Sequence, residues 1–300
     1  MPDIPAVGTR VSLRYRLPAG SVPPLSDVVG HLLDVGSTLL VRTKRGDVVD
    51  VSAADVVAIR ALSDQPVRTG DIRNLEHAAA LAWPGVEQQW LGGWLLRSGR
   101  GSTRRANSAV PLGLSRDDDT SAIVEWYADR GLAPLLSVPD RMFRLPHGAH
   151  TEAETIVMTR ELTVSLGYES DVALAPRPDD QWSRLYERDV PVEVLTAVID
   201  GQVVFATIDD VAVGRGAVTV APDGTRWVGL SAVHVVEVAR RRGVGRRLCE
   251  ALLGWGVERA ATRAYVQVLA DNAAATRLYE SMGFGVHHRS RYLRLTPRTL

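Results

Sequence analysis

The sequence feature that most restricts the fold of this chain is an apolar strand that leads through a glycine-containing turn into a helix. The strand is expected over 231–236 and the helix over 243–257. A pyrophosphate needs converging backbone N–H groups, a positive helix N-terminus and glycines that allow close approach, and this order of elements supplies all three. The residues of the turn are Arg240, Arg241, Arg242, Gly243, Val244, Gly245 and Arg246.

The turn differs from two widespread phosphate-binding motifs. It has neither Gly-x-Gly-x-x-Gly with a following acidic residue nor Gly-Lys-Ser/Thr. Its arginines would bring positive charge close to a diphosphate and to a ribose 3′-phosphate. The alternative is that the arginine-rich helix start is merely solvated. The helix carries an apolar stripe that predicts core packing, formed by Val244, Leu248, Leu252 and Trp255.

The pattern Arg-x-x-Gly-x-Gly in this turn resembles the coenzyme-binding motif of the GNAT (GCN5-related N-acetyltransferase) superfamily. The run from Leu269 to Phe284 also resembles this family. The resemblance implies acetyl-CoA as cosubstrate, Asn272 as a contact to the coenzyme arm, and Tyr279 as the acid that protonates the leaving thiolate. A phenol with a pKa of about 10 suits that step. A buried core tyrosine is the alternative.

The resemblance also implies that the strand before the turn pairs with the pantetheine arm through the backbone of Val233 and Val235. Several family members carry a glutamate base earlier on this strand, and the matching position here is Gly229. His234 is therefore the first candidate for the general base, acting through water, and Glu237 is the second. Structural roles for both residues, or a reaction that uses solvent alone, are the alternatives.

Residues 1–68 predict a small all-β SH3-like barrel. Period-two alternation marks five short strands, which are joined by turn residues. Such barrels bind peptides or nucleic acid, and a docking or packing role without catalysis is favoured here. The basic residues of this segment fit an anionic partner and solvated strand faces equally well. The predicted strands cover 10–15, 27–33, 38–43, 47–51 and 56–61.

The rest of the chain predicts an α+β fold of GNAT type, in which helices flank a mixed central sheet. Residues 171–300 are expected to form the acetyl-CoA-binding domain, and 71–165 a degenerate GNAT-like half on the acceptor side. The predicted helices cover 71–83, 118–130, 180–187, 243–257 and 273–282. The predicted strands cover 93–97, 105–111, 134–138, 192–199, 202–208, 211–220, 227–236, 264–269 and 286–295.

Three features of residues 71–165 are candidates for an acceptor pocket, and each has a structural alternative. The tryptophans form either an aromatic wall or core, and the arginines either bind an acidic acceptor or cover a loop. Three consecutive aspartates either cap the following helix or attract a cationic lysine. These residues are Trp83, Trp90, Trp94 and Trp126, then Arg97, Arg100, Arg104 and Arg105, then Asp117, Asp118 and Asp119.

Charge and composition exclude several other classes of protein. Thirty-five basic residues balance thirty-five acidic ones, so no global field draws the chain to nucleic acid or to a membrane. The first residues do not resemble a signal peptide and no apolar run is long enough to span a bilayer, which favours the cytoplasm. The one cysteine, Cys249, permits no internal disulfide and no thiolate zinc pattern, and we expect no metal. A small buried side chain is its expected role.

Together these features predict an N-acetyltransferase that moves the acetyl group of acetyl-CoA to a primary amine by direct attack in a ternary complex. The acceptor is either a protein lysine, including one on a histone-like or nucleoid protein, or a small amine. The order of modules resembles actinobacterial GNAT proteins with an N-terminal barrel. The alternative is a non-catalytic acetyl-CoA sensor or nucleic-acid-binding protein that acts through the barrel, and the presence of Tyr279 favours the enzyme.

Overall fold

The computed structural model describes residues 4–62, 67–114, 120–144, 151–162 and 171–295. The chain forms two compact units, Met1–Val67 and Arg68–Leu300. The predicted aspartate cap at 117–119 lies outside the described residues.

The first unit is a five-stranded antiparallel sheet in the order β4-β3-β2-β1-β5. Alternate residues of these strands face inward, as a half-buried strand requires, and form one apolar cluster that includes Val11, Leu13 and Leu32. The five predicted strands are all present. Their bounds are β1 Arg10–Arg16, β2 Leu25–Val35, β3 Thr38–Thr43, β4 Val48–Ser52 and β5 Val56–Ala61.

The second unit is built from six helices and eleven strands in its described residues. The helices are α1 Thr69–Ala82, α2 Ser121–Ala128, α3 Asp180–Tyr186, α4 Val192–Thr196, α5 Val244–Glu258 and α6 Ala273–Ser281. The strands are β6 Glu87–Leu91, β7 Trp94–Ser98, β8 Val110–Pro111, β9 Leu135–Pro139, β10 Thr151–Glu161, β11 Ala173–Ala175, β12 Gln202–Ile208, β13 Ala212–Val220, β14 Arg226–Val235, β15 Arg263–Leu269 and β16 Gly285–Arg294.

A mixed eight-stranded sheet organises this unit, in the order β11-β12-β13-β14-β15-β10-β16-β9. The pair β14 and β15 is parallel, and all its other pairs are antiparallel. Strands β9 and β10, which precede residue 165, pair with β15 and β16 in this same sheet. The α+β architecture is therefore as predicted. The division into an acceptor half at 71–165 and a coenzyme half at 171–300 stays a prediction.

Helices α3 and α5 cover opposite faces of the sheet. On β12, Val204 and Ala206 join the apolar cluster of α5, whereas Phe205 between them joins the cluster of α3. Because successive strand residues point to opposite faces, the two helices lie on different sides. The predicted apolar stripe of α5 is buried, and Cys249 beside it is fully buried, as expected.

Two predicted strands are wrong. Residues 192–199 contain helix α4, because Pro191 pre-sets the backbone at its start and the Pro191 carbonyl accepts the N–H groups of Val194 and Leu195. Of 105–111, only Val110–Pro111 pairs as a strand. The side chain of Asn107 holds the preceding loop instead, because its oxygen accepts the N–H groups of Gly99 and Gly101, each at 2.8 Å. Strands β6, β10 and β11 were not predicted.

Candidate active site

The two central strands of the sheet separate at one point along their length. Strands β14 and β15 pair only from Trp227 to Leu230 on β14. Beyond Leu230, β14 stays paired with β13 on its other side, and a bulge at Ala232, where φ is 51°, shifts the register. Among the described residues, no strand pairs with the second edge of 231–235. Apart from the Val235 carbonyl, which accepts Arg240 Nε at 2.9 Å, its backbone N–H and C=O groups can therefore pair with an added extended chain.

The turn that follows this edge exposes the start of α5. Arg241 and Gly243 both have positive φ, at 60° and 79°, so the backbone adopts the left-handed conformation twice within three residues. Gly243 caps the helix without a side-chain hydrogen bond, so the first N–H groups of α5 receive no capping oxygen from it. This is the geometry of an anion site at a helix N-terminus.

The arginines of the turn lie in two different settings. Arg240, Arg241 and Arg242 are exposed, and Arg240 donates its Nε to the carbonyl of Val235 at 2.9 Å. Arg246 instead donates to the carbonyl and hydroxyl oxygens of Ser281, at 2.9 and 2.7 Å. The first three therefore carry exposed positive charge near the helix start, with the Nε of Arg240 already used, whereas Arg246 connects α5 to α6.

Tyr279 lies on α6, and Asn272 directly precedes this helix. Tyr279 belongs to the same apolar cluster as Val233 and Val235 of the free edge. Asn272 caps this helix, because its side-chain oxygen accepts the N–H of Ala275 at 3.1 Å. Tyr279 is 6% exposed and packs edge-to-face on Phe284. Burial raises the pKa of Tyr279 well above its usual range, and its hydrogen bond to Cys249 raises it further. The phenol is therefore protonated at neutral pH. Its role as an acid stays a prediction.

The two base candidates differ in their surroundings. His234 Nε2 lies 3.7 Å from the carboxylate of Glu187 at the end of α3, which can orient the imidazole. Glu237 is exposed at the start of a single 3₁₀ turn, Glu237–Ala239. Val233 and Val235 direct their side chains into the apolar cluster of α5, so His234 between them points to the α3 face.

Gly229 has a neighbour that explains why no side chain stands there. A methyl group at Gly229 would lie 2.6 Å from Tyr265 Cε1 and closer still to the ring carbon and oxygen of the phenol. Tyr265, on β15 opposite Gly229, thus fills the space that a glutamate would need. Burial raises the pKa of Tyr265 to about 12. Sequence reasoning did not identify Tyr265.

A pocket opens where the two strands separate, on the α1 and α3 face. Two of its residues, Trp83 and Arg105, belong to the predicted acceptor features. Arg215, on β13, was missed, although an arginine within the apolar run 211–220 is a signal that could have found it. The full lining is Ala82, Trp83, Arg105, Arg215, Gly229, Leu230, Ser231, Tyr265 and Gln267.

The other predicted acceptor residues lie elsewhere. Trp94 and Trp126 are buried in a separate core cluster, and Trp90 is exposed, so the four tryptophans do not form one wall. Arg97 is buried and donates to both oxygens of Ser108. The remaining two arginines form ion pairs, Arg100 with Glu193 and Arg104 with Glu152.

The described residues contain no group of three or more histidine, cysteine, aspartate or glutamate side chains that could hold a metal ion. Over the same residues, no helix has both the length and the apolar character needed to cross a membrane.

Comparison with known proteins assigns both units. Residues 69–293 match the family described as "Probable histone acetyltransferase Rv0428c C-terminal", and residues 5–60 match "Rv0428c N-terminal Sm-like domain". The predicted SH3-like barrel is only an approximation of this small Sm-like domain.

Individual relatives agree with this assignment. The chain is 53% identical over 292 residues to "Probable histone acetyltransferase Rv0428c" of Mycobacterium tuberculosis, which covers 96% of this chain and 95% of the relative. It is 26% identical over 247 residues to "Uncharacterized N-acetyltransferase YobR" of Bacillus subtilis, covering 71% and 94%. A GCN5-related N-acetyltransferase from Kribbella flavida shares the fold, with a TM-score of 0.53 at 15% identity over 77% of this chain and 96% of that one. The chain therefore belongs to the Rv0428c family of GNAT-type acetyltransferases.

Proposed function

We propose that this protein transfers the acetyl group of acetyl-CoA to a primary amine by direct attack within a ternary complex. The observation that carries the proposal is the free edge of β14 at 231–235, which leads within a few residues to the start of α5. An extended pantetheine arm can add to such an edge as a further strand. The diphosphate at the end of that arm can then accept N–H groups at the helix start.

The residues that bind the coenzyme follow from this arrangement. The backbone of Val233 and Val235 pairs with the pantetheine, and the backbone of 241–246 holds the diphosphate around Gly243. The exposed side chains of Arg240, Arg241 and Arg242 add charge for the phosphates. We also assign Asn272 to the coenzyme arm through its amide nitrogen, because its oxygen already caps α6. A free N–H on the β14 edge polarises the thioester carbonyl as the oxyanion develops.

The proton transfers lie on opposite faces of the sheet. The amine nitrogen attacks the thioester carbon, the carbon–sulfur bond breaks, and the sulfur leaves as thiolate. His234, oriented by Glu187 on the α3 face, takes the proton of the ammonium through water. Tyr279, in the cluster of the α5 face, gives its proton to the thiolate, and for this its hydroxyl must release Cys249. Glu237 is the second candidate for the base.

The acceptor is a primary amine, on a protein lysine or on a small molecule. The printed name of the Mycobacterium tuberculosis relative, a histone acetyltransferase, supports a protein lysine. The family description of the matching segment 69–293 supports the same class.

Calorimetric titration with coenzyme A, beside thiol release from acetyl-CoA with a panel of amines and lysine peptides, tests the proposal. We expect the double variant Arg241→Gln/Arg242→Gln to bind coenzyme A about 10-fold or more weakly, because two charge-assisted contacts to phosphate are lost. Arg226→Gln is the matched control, since Arg226 is an exposed arginine at the far end of β14. Equal affinity of all three proteins would refute the assigned diphosphate site. An absence of thiol release with every amine would refute the transfer.

A further inference from the structure

The basic side chains of this chain are almost all arginines. Of its thirty-five basic residues thirty-four are arginine, and the remaining one is Lys44. The second unit, from Arg68 onward, contains no lysine in its sequence. A guanidinium stays protonated in proteins and is not a nucleophile towards a thioester, whereas a lysine amine is one once it has lost its proton. Lys44 is therefore the one side chain of the protein that belongs to the proposed class of acceptor.

Lys44 lies in the tight turn between β3 and β4. The Thr43 N–H donates to the Asp47 carbonyl at 2.8 Å, and the Gly46 N–H donates to the Thr43 carbonyl at 3.0 Å, so two backbone bonds close the turn. Gly46 has a φ of 94°, and a methyl group there would meet nothing within 4 Å. Residues 44–48 are all exposed. The turn therefore presents its lysine on a closed and uncovered loop.

The ammonium group of Lys44 has no structural task in the described part of the chain. It makes neither a hydrogen bond nor an ion pair with the residues that the structure describes. In the same unit, by contrast, Arg14 is paired with Asp27 at 2.9 Å. An arginine at position 44 would give the turn the same charge, so the property that distinguishes Lys44 is its amine.

Charge favours an encounter between this turn and the candidate active site of another molecule. Residues 42–47 carry three positive charges and one negative charge, all on exposed side chains, and the lysine stands between two arginines. At the candidate site, the side chain of Glu187 is 67% exposed and lies beside His234, the first candidate for the base. Opposite charges steer and orient such an encounter. The basic turn is therefore attracted to the face on which the proposed base lies.

We infer that Lys44 is an acetylation site of this enzyme and that a second copy of the enzyme modifies it. The inference rests on the proposed function. The ammonium of Lys44 gives one proton to the base, and the neutral nitrogen attacks the carbonyl carbon of the acetyl-CoA bound to the other copy. A carbon–nitrogen bond forms, the carbon–sulfur bond breaks, the nitrogen loses a second proton and the sulfur takes one up. The product is an amide, so the turn loses one of its three positive charges.

Incubation of the whole chain with acetyl-CoA, followed by tandem mass spectrometry, tests the inference. We expect one acetyl group on Lys44, and Lys44→Arg should lose this increase in mass while its thiol release with lysine peptides stays unchanged. The initial rate per molecule should rise in proportion to enzyme concentration, because each transfer needs two copies. An unmodified Lys44 would overturn the inference. A rate per molecule that is independent of enzyme concentration would also overturn it, because direct reaction with acetyl-CoA or transfer within one copy gives that result.

A relocated lysine is the matched control. The double variant Lys44→Arg/Arg60→Lys keeps the total charge and moves the lysine to an exposed position of β5, where the backbone pairs with Ser12. Its acetylation should be at least about 10-fold slower, because a residue within a strand projects less than a residue in a turn and this one lacks flanking arginines. Equal rates would show that any exposed lysine reacts, and Lys44 would then not be a specific site.

Thiol release with lysine peptides separates this inference from the proposed function. Release with a peptide but no acetyl group on Lys44 would overturn the self-acetylation and leave the acetyl transfer in place. Loss of peptide-dependent release in Lys44→Arg would assign Lys44 to the reaction itself and would overturn its role as an acceptor. Failure to release thiol with any amine, together with an unmodified Lys44, would overturn both proposals.

Discussion

Replacing Gly229 by alanine should destabilise the protein, although alanine in place of glycine usually stabilises a strand or a helix. The new methyl group would lie 2.6 Å from Tyr265 Cε1, with two further ring atoms closer. Tyr265 is 6% exposed and packs against Trp227, which restricts the movement of its ring. Overpacking of this kind costs about 1–3 kcal/mol, and we expect a loss of about 2 kcal/mol in the free energy of unfolding.

The assay is urea unfolding followed by tryptophan fluorescence. Gly70→Ala is the matched control, because a methyl group at Gly70 meets nothing within 4 Å and the residue lies in the first turn of α1. That variant should gain about 0.5–1 kcal/mol. The contrast in sign between the two alanines isolates the steric conflict from the general effect of losing a glycine.

A double-mutant cycle makes the reasoning refutable. Tyr265→Ala alone should cost about 3–5 kcal/mol, since it leaves a cavity. In the double variant, the alanine at 229 enters that space, so the two losses should fall short of additivity by about 1–2 kcal/mol. Full additivity, or a Gly229→Ala variant as stable as the parent, would show that Tyr265 does not fill the space beside Gly229. The position would then be open to a glutamate.

Three further predictions concern single side chains of the same unit, and two of them use variants. Tyr279→Phe should lower turnover about 10²- to 10⁴-fold with little change in coenzyme A affinity, measured by thiol release and calorimetry, and unchanged turnover would remove Tyr279 as the acid. Cys249 should resist aromatic disulfide reagents at pH 8 until the protein unfolds, because burial raises the pKa of its thiol to about 12, and fast labelling of folded protein would contradict its burial. His287 has its pKa lowered to about 3, chiefly by burial, so the unfolded chain binds the extra proton and stability should fall as pH drops from 6.5 towards 3. His287→Gln should reduce the dependence of the free energy of unfolding on pH, measured by urea unfolding at several pH values. An equal dependence on pH in the parent and the variant would contradict the lowered pKa of His287.

Local pattern was sufficient for some elements of the sheet. The strand 202–208 was predicted with the bounds that the structure gives, because its apolar β-branched and aromatic residues favour a strand and Gly201 precedes it. The turn before α5 was also predicted from the sequence, since it contains Gly243, which adopts a positive φ there. In contrast, β10 was missed although it lies between β15 and β16. Its burial comes from strands more than 100 residues away, which no local window contains.

The prediction also failed where a side chain outweighs the backbone preference. Val192, Val194 and Leu195 favour a strand by composition, but Pro191 starts a helical turn before them. Arg215 shows that the pocket, too, could not be predicted from the local sequence. Its charge stands out in an apolar strand, but only the structure reveals that its donors meet carbonyl oxygens and that its pocket contains Arg105. Sequence spacing indicated the proposed coenzyme site, whose motif is contiguous, and not the pocket, which residues of α1, β13, β14 and β15 line together with Arg105.

The exchange at Gly229 also bears on where the base of the reaction can lie. A glutamate at that position would place a carboxylate in the pocket that Arg105 and Arg215 line. With Tyr265 filling the space, the carboxylate–imidazole pair that includes a residue of β14 is His234 with Glu187, 3.7 Å apart and further along the strand. Under the proposed function, the candidate base His234 therefore lies beyond the point where β14 and β15 separate, and not at Gly229.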